Sequence, residues 1–312
     1  MRALILGGSG FIGRNLVSHL EEQGETVAVL DRAPDPLGGL SGEFVEGDAQ
    51  DPEVVWNAIR QARPDVIYHL AANSDISAGI ADASLDFGDT LLTTMSLAQA
   101  CQREPVEEIV FASSSAIFGV MNSRIAENSE EFFQPISWYG KAKLASELVI
   151  QSLSTQSPST RVLIARFPNV VGPKATHGVL FDFLRKLQLD PSLLQVLGNG
   201  LQEKPYIHVG DLILGIEHFR KLMIISGISR INLGPADTVN VRTIVQEVLS
   251  ATGLTPEVRY QDTPYGWEGD VPKYAFDTSK MIDSGFEVSL SSQEAVRHAI
   301  RDLLADSVLI TN

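Results

Sequence analysis

Tyr139-Gly140-Lys141-Ala142-Lys143 places a phenol and an ammonium four residues apart. On a helix that spacing puts both side chains on one face. A tyrosine ordinarily titrates near ~10, too high for a base at neutral pH. A neighbouring cation favours the phenolate, so Lys143 is expected to lower the Tyr139 value. A second hydroxyl is offered by Ser113-Ser114-Ser115, which closes the apolar run Glu107 to Ala112. A serine there would share the hydrogen bond of a substrate hydroxyl with Tyr139. The three groups together suit the oxidation of an alcohol, with the proton going to the phenol and the hydride to a nicotinamide. Tyr-x-x-x-Lys alone is common, and a solvated helix face would explain it equally well. The rest of the chain has to decide.

Gly7-Gly8-Ser9-Gly10-Phe11-Ile12-Gly13 supplies the context. It follows the short apolar run Arg2 to Leu6 and precedes Ile12, Leu16 and Leu20, which repeat at helical spacing. Three glycines therefore occupy a strand-to-helix turn. Gly7 permits the tight turn, Gly10 lets a pyrophosphate approach the backbone, and Gly13 lets the helix lie close. Free N–H groups at the helix start would face the phosphates. The next strand, Thr26 to Leu30, ends at Asp31. An acid about 20 residues beyond the turn accepts adenosine ribose hydroxyls and repels a 2′-phosphate, which favours NAD. Arg32 points the other way, since an Arg can accommodate that phosphate. Ala71-Ala72, after the strand Asp65 to Leu70, are small enough for a cofactor to lie across the strand ends.

The elements that must position these groups alternate. Strands are expected at Arg2–Leu6, Thr26–Leu30, Glu43–Glu46, Asp65–Leu70, Glu107–Ala112 and Arg161–Phe167. Helices are expected after Gly10, at Pro52–Ala62 with Asp51 as N-cap, at Ser84–Gln102 and at Ser137–Ser152. A Pro/Gly-rich loop covers Ala33 to Gly42. This rhythm means a Rossmann-type, doubly wound, mostly parallel α/β sheet. Later elements are expected to be helices at Phe181–Leu189, Asp211–Met223 and Val241–Ala251, the last closed by Gly253. Extended stretches are expected at Leu194–Leu197, Tyr206–Val209 and Ile231–Leu233. Ser291-Ser292-Gln293-Glu294 resembles a capping box for a final helix ending near Leu304. Residues 1–170 are expected to form the dinucleotide-binding domain, with 205–235 returning to it. Residues 171–204 and 236–312 are expected to form a smaller C-terminal substrate-binding lobe.

The bulk composition narrows the class. The chain has 312 residues, 44% hydrophobic and 20% charged, as in a soluble globular protein. Its formal net charge of −15 argues against nucleic acid as a partner. No signal peptide and no run of membrane-spanning length is seen. Cys101 is the single cysteine, which rules out an intrachain disulfide and is read as packing. A cytoplasmic enzyme without a membrane partner is the expectation. His69, His177 and His208 are isolated and read as packing or hydrogen-bonding residues, and no zinc-like spacing is present.

These motifs resemble the extended short-chain dehydrogenase/reductase family, in its NAD-dependent sugar-nucleotide epimerase/dehydratase branch. The likeness rests on Gly7 to Gly13, Asp31, Gly47-Asp48, His69-Leu70-Ala71-Ala72, Ser113 to Gly119 and Tyr139 to Lys143. It continues through Arg166-Phe167-Pro168-Asn169-Val170-Val171-Gly172-Pro173, Tyr206-Ile207-His208-Val209 and Gly266-Trp267-Glu268-Gly269-Asp270-Val271-Pro272. The resemblance implies NAD as cofactor. It assigns contacts to it from Gly7, Gly10, Phe11, Ile12, Gly13, Asp31, Arg32, Asp48, Ala49, Leu70, Ala71, Ala72, Tyr139, Lys143 and Phe167. It makes Ser114 the hydroxyl paired with Tyr139 and turns Ser115 to the substrate.

Dehydratases of this branch carry Asp-Glu directly before the Ile-Phe-Gly-like tripeptide, and decarboxylases use an acid there. Here Ser115 and Ala116 stand in those positions. The resemblance therefore implies a 4-epimerase acting on a nucleotide sugar, a UDP-hexose or its uronic-acid or N-acetyl derivative. A net oxidoreductase on a nucleotide sugar or other small alcohol is the alternative, and a cofactor-sensing binding protein is a third. The diphosphate clamp departs from the pattern. Asn169 fits it, Lys204 and Trp267 replace two frequent arginines, and Arg259, Lys174 or Arg166 would have to compensate. Asp89-Thr90 stands where two Asn are frequent, and Phe118 where a Tyr is frequent. In relatives the helices matching Ser84–Gln102 and Ser137–Ser152 form a four-helix dimer interface, so a homodimer is expected.

Overall fold

Strand β1 (Arg2–Leu6) sits inside the sheet because Ala3, Leu4, Ile5 and Leu6 are apolar without a break and buried on both sides. The structure, a computed structural model, describes residues 1–34, 43–73, 75–120, 124–130, 133–157, 159–223, 227–267 and 269–305. Most of the loop expected at Ala33–Gly42 lies outside these residues, as does Glu268.

The chain divides into two compact units. The first comprises Met1–Ile117, Trp138–Arg166 and Ile216–Ile231. The second comprises Phe118–Ser137, Phe167–Gly215 and Asn232–Asn312. The first is built on a seven-stranded sheet. With β2 (Thr26–Asp31), β3 (Glu43–Glu46), β4 (Val66–His69), β5 (Glu108–Ser114), β6 (Arg161–Phe167) and β7 (Gly227–Asn232), the order is β7-β6-β5-β4-β1-β2-β3. The β1–β2, β1–β4, β2–β3 and β4–β5 pairs all run parallel. This is the Rossmann-type order that the alternation of strands and helices implied. The order reverses between β1 and β4, and it is outside the carboxyl ends of the strands at such a reversal that doubly wound sheets bind ligands.

Helix α1 (Phe11–Glu22) follows the glycine-rich turn. Helix α2 (Pro52–Ala62) begins at Asp51, whose side chain accepts the Glu53 N–H, with Pro52 at the first position. Val55, Ala58 and Ile59 of α2 pack with Leu97, Ala100 and Cys101 of helix α3 (Thr93–Arg103), and with Leu4, Leu6 and Ile67 of the sheet. Helix α4 (Trp138–Gln156) adds Ile150 and Leu153 to that core.

One expected element is divided. The helix expected at Ser84–Gln102 consists of an α-turn at Ala83–Asp86, a π-helical segment at Phe87–Leu92 and then α3. Side-chain hydroxyls explain the widening. The Thr90 carbonyl accepts from Thr93 Oγ1 at 3.1 Å, Thr94 Oγ1 at 2.8 Å and Ser146 Oγ of α4 at 3.2 Å. Hydroxyls that bond a carbonyl of the preceding turn compete with the helix ladder and distort it.

The second unit is assembled from short ladders. Asn169–Val171 pairs parallel with Tyr206–His208, Leu193–Val196 with Glu257–Tyr260, and Arg124–Ile125 with Ala275–Phe276. Glu203–Lys204 pairs antiparallel with Val239–Asn240. Helix Val241–Thr252 closes at Gly253, whose φ of 69° is the left-handed value that glycine tolerates best. Helix Ser292–Ala305 is preceded by the expected capping box. There Ser291 N–H donates to Glu294 Oε2 at 2.9 Å, and Glu294 N–H donates to Ser291 Oγ at 3.3 Å.

Candidate active site

The first unit brings the glycine-rich turn, Asp31 and the end of β4 together. Gly7 has φ of 84°, and a Cβ on it would stand 2.7 Å from Ala71 N. The turn therefore lies directly against Ala71, which is why both positions are small. A Cβ on Gly13 would stand 2.6 Å from Gly8 Cα, so the start of α1 presses on the turn itself. Gly10 is different. A Cβ there meets only Gly7 O, at 3.3 Å. The space beside Gly10 is open, at the N-terminus of a helix that no described side chain caps. Unsatisfied N–H groups with open space before them are what a pyrophosphate needs. Asp31 closes the arrangement, one carboxylate oxygen accepting the Ser9 N–H at 3.0 Å and the other the Ala33 N–H at 3.3 Å. These residues fit a dinucleotide. Phe11, Ile12, Leu70, Ala71 and Ala72 are partly exposed along the same strand ends and helix start. Asp48 is exposed and its carboxylate accepts the Gln50 N–H, while Ala49 and Phe167 are buried.

Arg32 does not stand alone after Asp31. Its guanidinium meets Asp89 of the π-helical segment, Nη1 to Oδ1 and Nη2 to Oδ2, each at 3.0 Å.

Tyr139, Lys143 and Ser114 also come together. Ser114 ends β5, and Ser115 opens the 3-10 turn Ser115–Ile117. Tyr139 lies in the first turn of α4, partly exposed, and hydrogen-bonds Ser114. Lys143, one turn on, is buried and donates from Nζ to the Ala112 carbonyl at 2.7 Å. The electrostatics correct the expectation drawn from spacing. Burial pushes the Tyr139 phenol up to about 12, with Asp86 adding to the rise and the Ser114 hydrogen bond opposing it. Burial also pulls Lys143 down to about 7, against the pull of Glu147. The causes acting on the phenol are burial, Asp86 and Ser114, and the charge of Lys143 is not among them. The Lys143 Nζ is 5.9 Å from the centroid of the Tyr139 ring. The hydrogen bond from Ser114 is what favours the phenolate here.

Beneath this trio lies a network that spacing alone did not single out. Glu147 sits four residues past Lys143 on α4, accepts from the Ser113 hydroxyl and pairs with Arg166 of β6. Arg166 and Glu147 are both fully buried, so Arg166 is not a cation available for a diphosphate. Its charge is taken up by Glu147. Arg259 is exposed and paired with Glu257.

The second unit gathers Asn169, Lys204 and Trp267. Tyr206 hydrogen-bonds Asn169 and feels the charge of Asp270. Lys204, expected in the diphosphate clamp in place of a frequent arginine, is buried and ion-paired with Asp270. A buried ammonium needs such a counterion. Its Nζ lies 4.8 Å from the centroid of the Trp267 ring, which is 39% exposed. The second carboxylate oxygen of Asp270 accepts the Gly266 N–H at 3.0 Å. Asp270 and Tyr206 therefore join the sequence-derived set. Asp270 is 66 residues from Lys204, and no local pattern connects them.

His69 is buried, bonded to Thr94 Oγ1 at 2.8 Å, and held neutral by a value pulled down to about 3. His208 contacts Asp302. Cys101 is buried, its thiol pushed up to about 12. Among the described residues no group of His, Cys, Asp and Glu is arranged to hold a metal ion, and no helix is long and apolar enough to cross a membrane.

Comparison with known proteins gives a consistent result. The model of the NAD dependent epimerase/dehydratase family matches residues 3–221. A UDP-glucose 4-epimerase of Yersinia pestis is 26% identical over 324 aligned positions, covering 94% of this chain and 95% of that one. The crystal structure of the UDP-glucose 4-epimerase of Thermus thermophilus in complex with NAD superposes with a TM-score of 0.84. It is 30% identical and is matched over 97% of this chain and 99% of that one. MoeE5 in complex with UDP-glucuronic acid and NAD gives 0.87 at 25% identity, over 98% and 99% of the two chains.

Proposed function

This chain belongs to the NAD dependent epimerase/dehydratase family, whose cofactor is NAD, and from that premise we propose that it is a sugar-nucleotide 4-epimerase. The observation that carries the reading is the Ser114–Tyr139 hydrogen bond, made one helical turn from Lys143. Tyr139, ionised as the phenolate that the Ser114 hydrogen bond favours, takes the proton of the sugar 4-hydroxyl, and Ser114 holds that hydroxyl in line. NAD, held by the glycine-rich turn and Asp31, would supply the acceptor for the hydride of the sugar C4 and its return to the other face. Tyr139 then returns its proton. Lys143, fixed by Ala112, is assigned to a cofactor ribose and to keeping the phenol in place. Ser115 and Ala116 offer no acid for eliminating water, which favours epimerase over dehydratase.

For the substrate we assign a UDP-hexose or its uronic-acid or N-acetyl derivative. Asn169, Lys204 and Trp267 are the residues of the second unit that we assign to the nucleotide diphosphate. Lys204 enters that role already balanced by Asp270, and Trp267 offers an indole face on which a base can stack. We assign the protein to the cytoplasm as a homodimer. Leu92 and Met95 near the start of α3 and Leu148 on α4 are exposed apolar side chains in keeping with a helical interface.

The test is a panel of UDP-, GDP-, CDP- and dTDP-sugars, with products identified by NMR and no NAD added. An epimerase converts one of them with no lasting absorbance of reduced nicotinamide. A net oxidoreductase accumulates it. Tyr139→Phe must abolish conversion while NAD stays bound.

A further inference from the structure

Arg32 is the residue of this chain best placed to undo its preference for NAD. It follows Asp31 directly, and a guanidinium there is a ready fork for a 2′-phosphate. The structure shows that fork already engaged. Both terminal nitrogens of Arg32 meet the two carboxylate oxygens of Asp89, each at 3.0 Å. Asp89 is itself held, because Gln50 Nε2 donates to its Oδ1 at 3.0 Å. Asp31 and Asp48 also act on the guanidinium. One positive charge is thus set among three carboxylates, and the local balance is negative.

We propose that Asp89 is a second determinant of dinucleotide choice, acting by occupying Arg32. Asp31 receives the ribose hydroxyls and repels a phosphate by itself. Asp89 does something separate: it occupies the guanidinium that would otherwise compensate. The segment that carries Asp89 is the π-helical insert, and the Thr93 hydroxyl bonds the Asp89 carbonyl at 2.9 Å. The backbone at this position is therefore fixed by hydroxyl bonding independent of the carboxylate. The Arg32 side chain is 57% exposed, so solvent screens the pair. The pair acts through geometry and occupancy more than through binding energy.

The test compares Asp89→Asn, Arg32→Gln and the double variant. Asn keeps the shape of Asp89 and an oxygen for Gln50 while losing the charge. Two readouts are independent of turnover. One is the dinucleotide released when the purified protein is denatured, separated by chromatography. The other is calorimetric titration of cofactor-depleted protein with NAD+ and with NADP+. Asp89→Asn is expected to raise affinity for NADP+ relative to NAD+ by about tenfold or more, from charge-assisted contacts to the freed fork. Arg32→Gln alone is expected to leave the ratio within about threefold, and adding it to Asp89→Asn is expected to cancel the gain. An unchanged ratio in Asp89→Asn overturns the proposal, and so does a gain that survives in the double variant. If Asp89→Asn does not fold, as judged by its melting temperature, Asp89→Ser is read by the same criterion. The outcome concerns the cofactor alone, so it is separate from whether the substrate is a nucleotide sugar.

Discussion

Glu147 and Arg166 meet through two hydrogen bonds, at 2.8 and 2.7 Å, with neither side chain reaching solvent. The pair ties α4, which carries Tyr139 and Lys143, to β6. Through the Ser113 hydroxyl it also ties α4 to the end of β5, where Ser114 stands. The placement of Tyr139, Lys143 and Ser114 thus rests in part on a buried charge pair.

Breaking one side of this pair leaves a buried charge uncompensated. Glu147→Ala is expected to cost about 3–5 kcal/mol of stability. Glu147→Leu combined with Arg166→Met is expected to recover most of that loss, because a volume-matched apolar pair needs no counterion. Urea denaturation of the three proteins measures both effects.

Lys143 makes stability depend on pH with a definite sign. Its ordinary value is 10.5, and burial pulls it down to about 7 in the folded chain. Between those values the unfolded chain binds more protons than the folded one, so this group makes stability rise with pH. Below about 7 both forms are protonated and the cost of burying the charge is present in full. The phenol of Tyr139, pushed up to about 12, works in the other direction, and only above about 10, where an unfolded tyrosine ionises. Urea midpoints at about pH 7.5 and about pH 9 are expected to rise in the native protein from this contribution. The rise should be smaller in Lys143→Met.

The glycines of the turn separate folding from binding. Gly13→Ala puts a methyl 2.6 Å from Gly8 Cα and is expected to lower both stability and NAD affinity. Gly10→Ala meets only Gly7 O at 3.3 Å and is expected to leave the melting temperature within a few degrees. Its methyl would intrude on the pyrophosphate position that the glycine-rich turn is expected to offer, so NAD affinity should fall by about tenfold or more. Thermal melts and calorimetric titration with NAD distinguish the two.

Lys204 and Asp270 form a buried pair next to Trp267. Lys204→Met alone strands Asp270 and is expected to cost about 3 kcal/mol or more. With Asp270→Leu added, stability should return. KM for the nucleotide sugar is then expected to rise about tenfold with kcat within about threefold, the pattern of lost uniform binding. Steady-state kinetics beside denaturation melts checks it.

Much of this could be read in the residues themselves. The apolar runs of β1, β2, β4 and β6 and the cap at Asp51 are properties of neighbours in the chain. So are the Ser291–Glu294 box, Gly253 as a helix stop and the Gly7–Gly13 turn. Each obeys a local rule of spacing or conformation. The helix expected across Ser84–Gln102 was legible as helix but not as a π-interrupted one. The hydroxyl of Ser146, far along the chain, takes part in widening it.

What lay beyond the sequence was the fate of its charges. The chain by itself determined which groups exist: a phenol and lysine one turn apart, a serine-bearing strand end, an acid after the second strand and a scatter of cations. The tertiary structure decided which of these are free. It paired Arg166 with Glu147, Arg32 with Asp89 and Lys204 with Asp270, and it set Tyr139 and Lys143 in surroundings that shift both against ionisation. The reason is physical. Periodicity and turn preference act over a few residues, whereas desolvation and ion pairing depend on which distant segments the folded chain brings within a few ångströms.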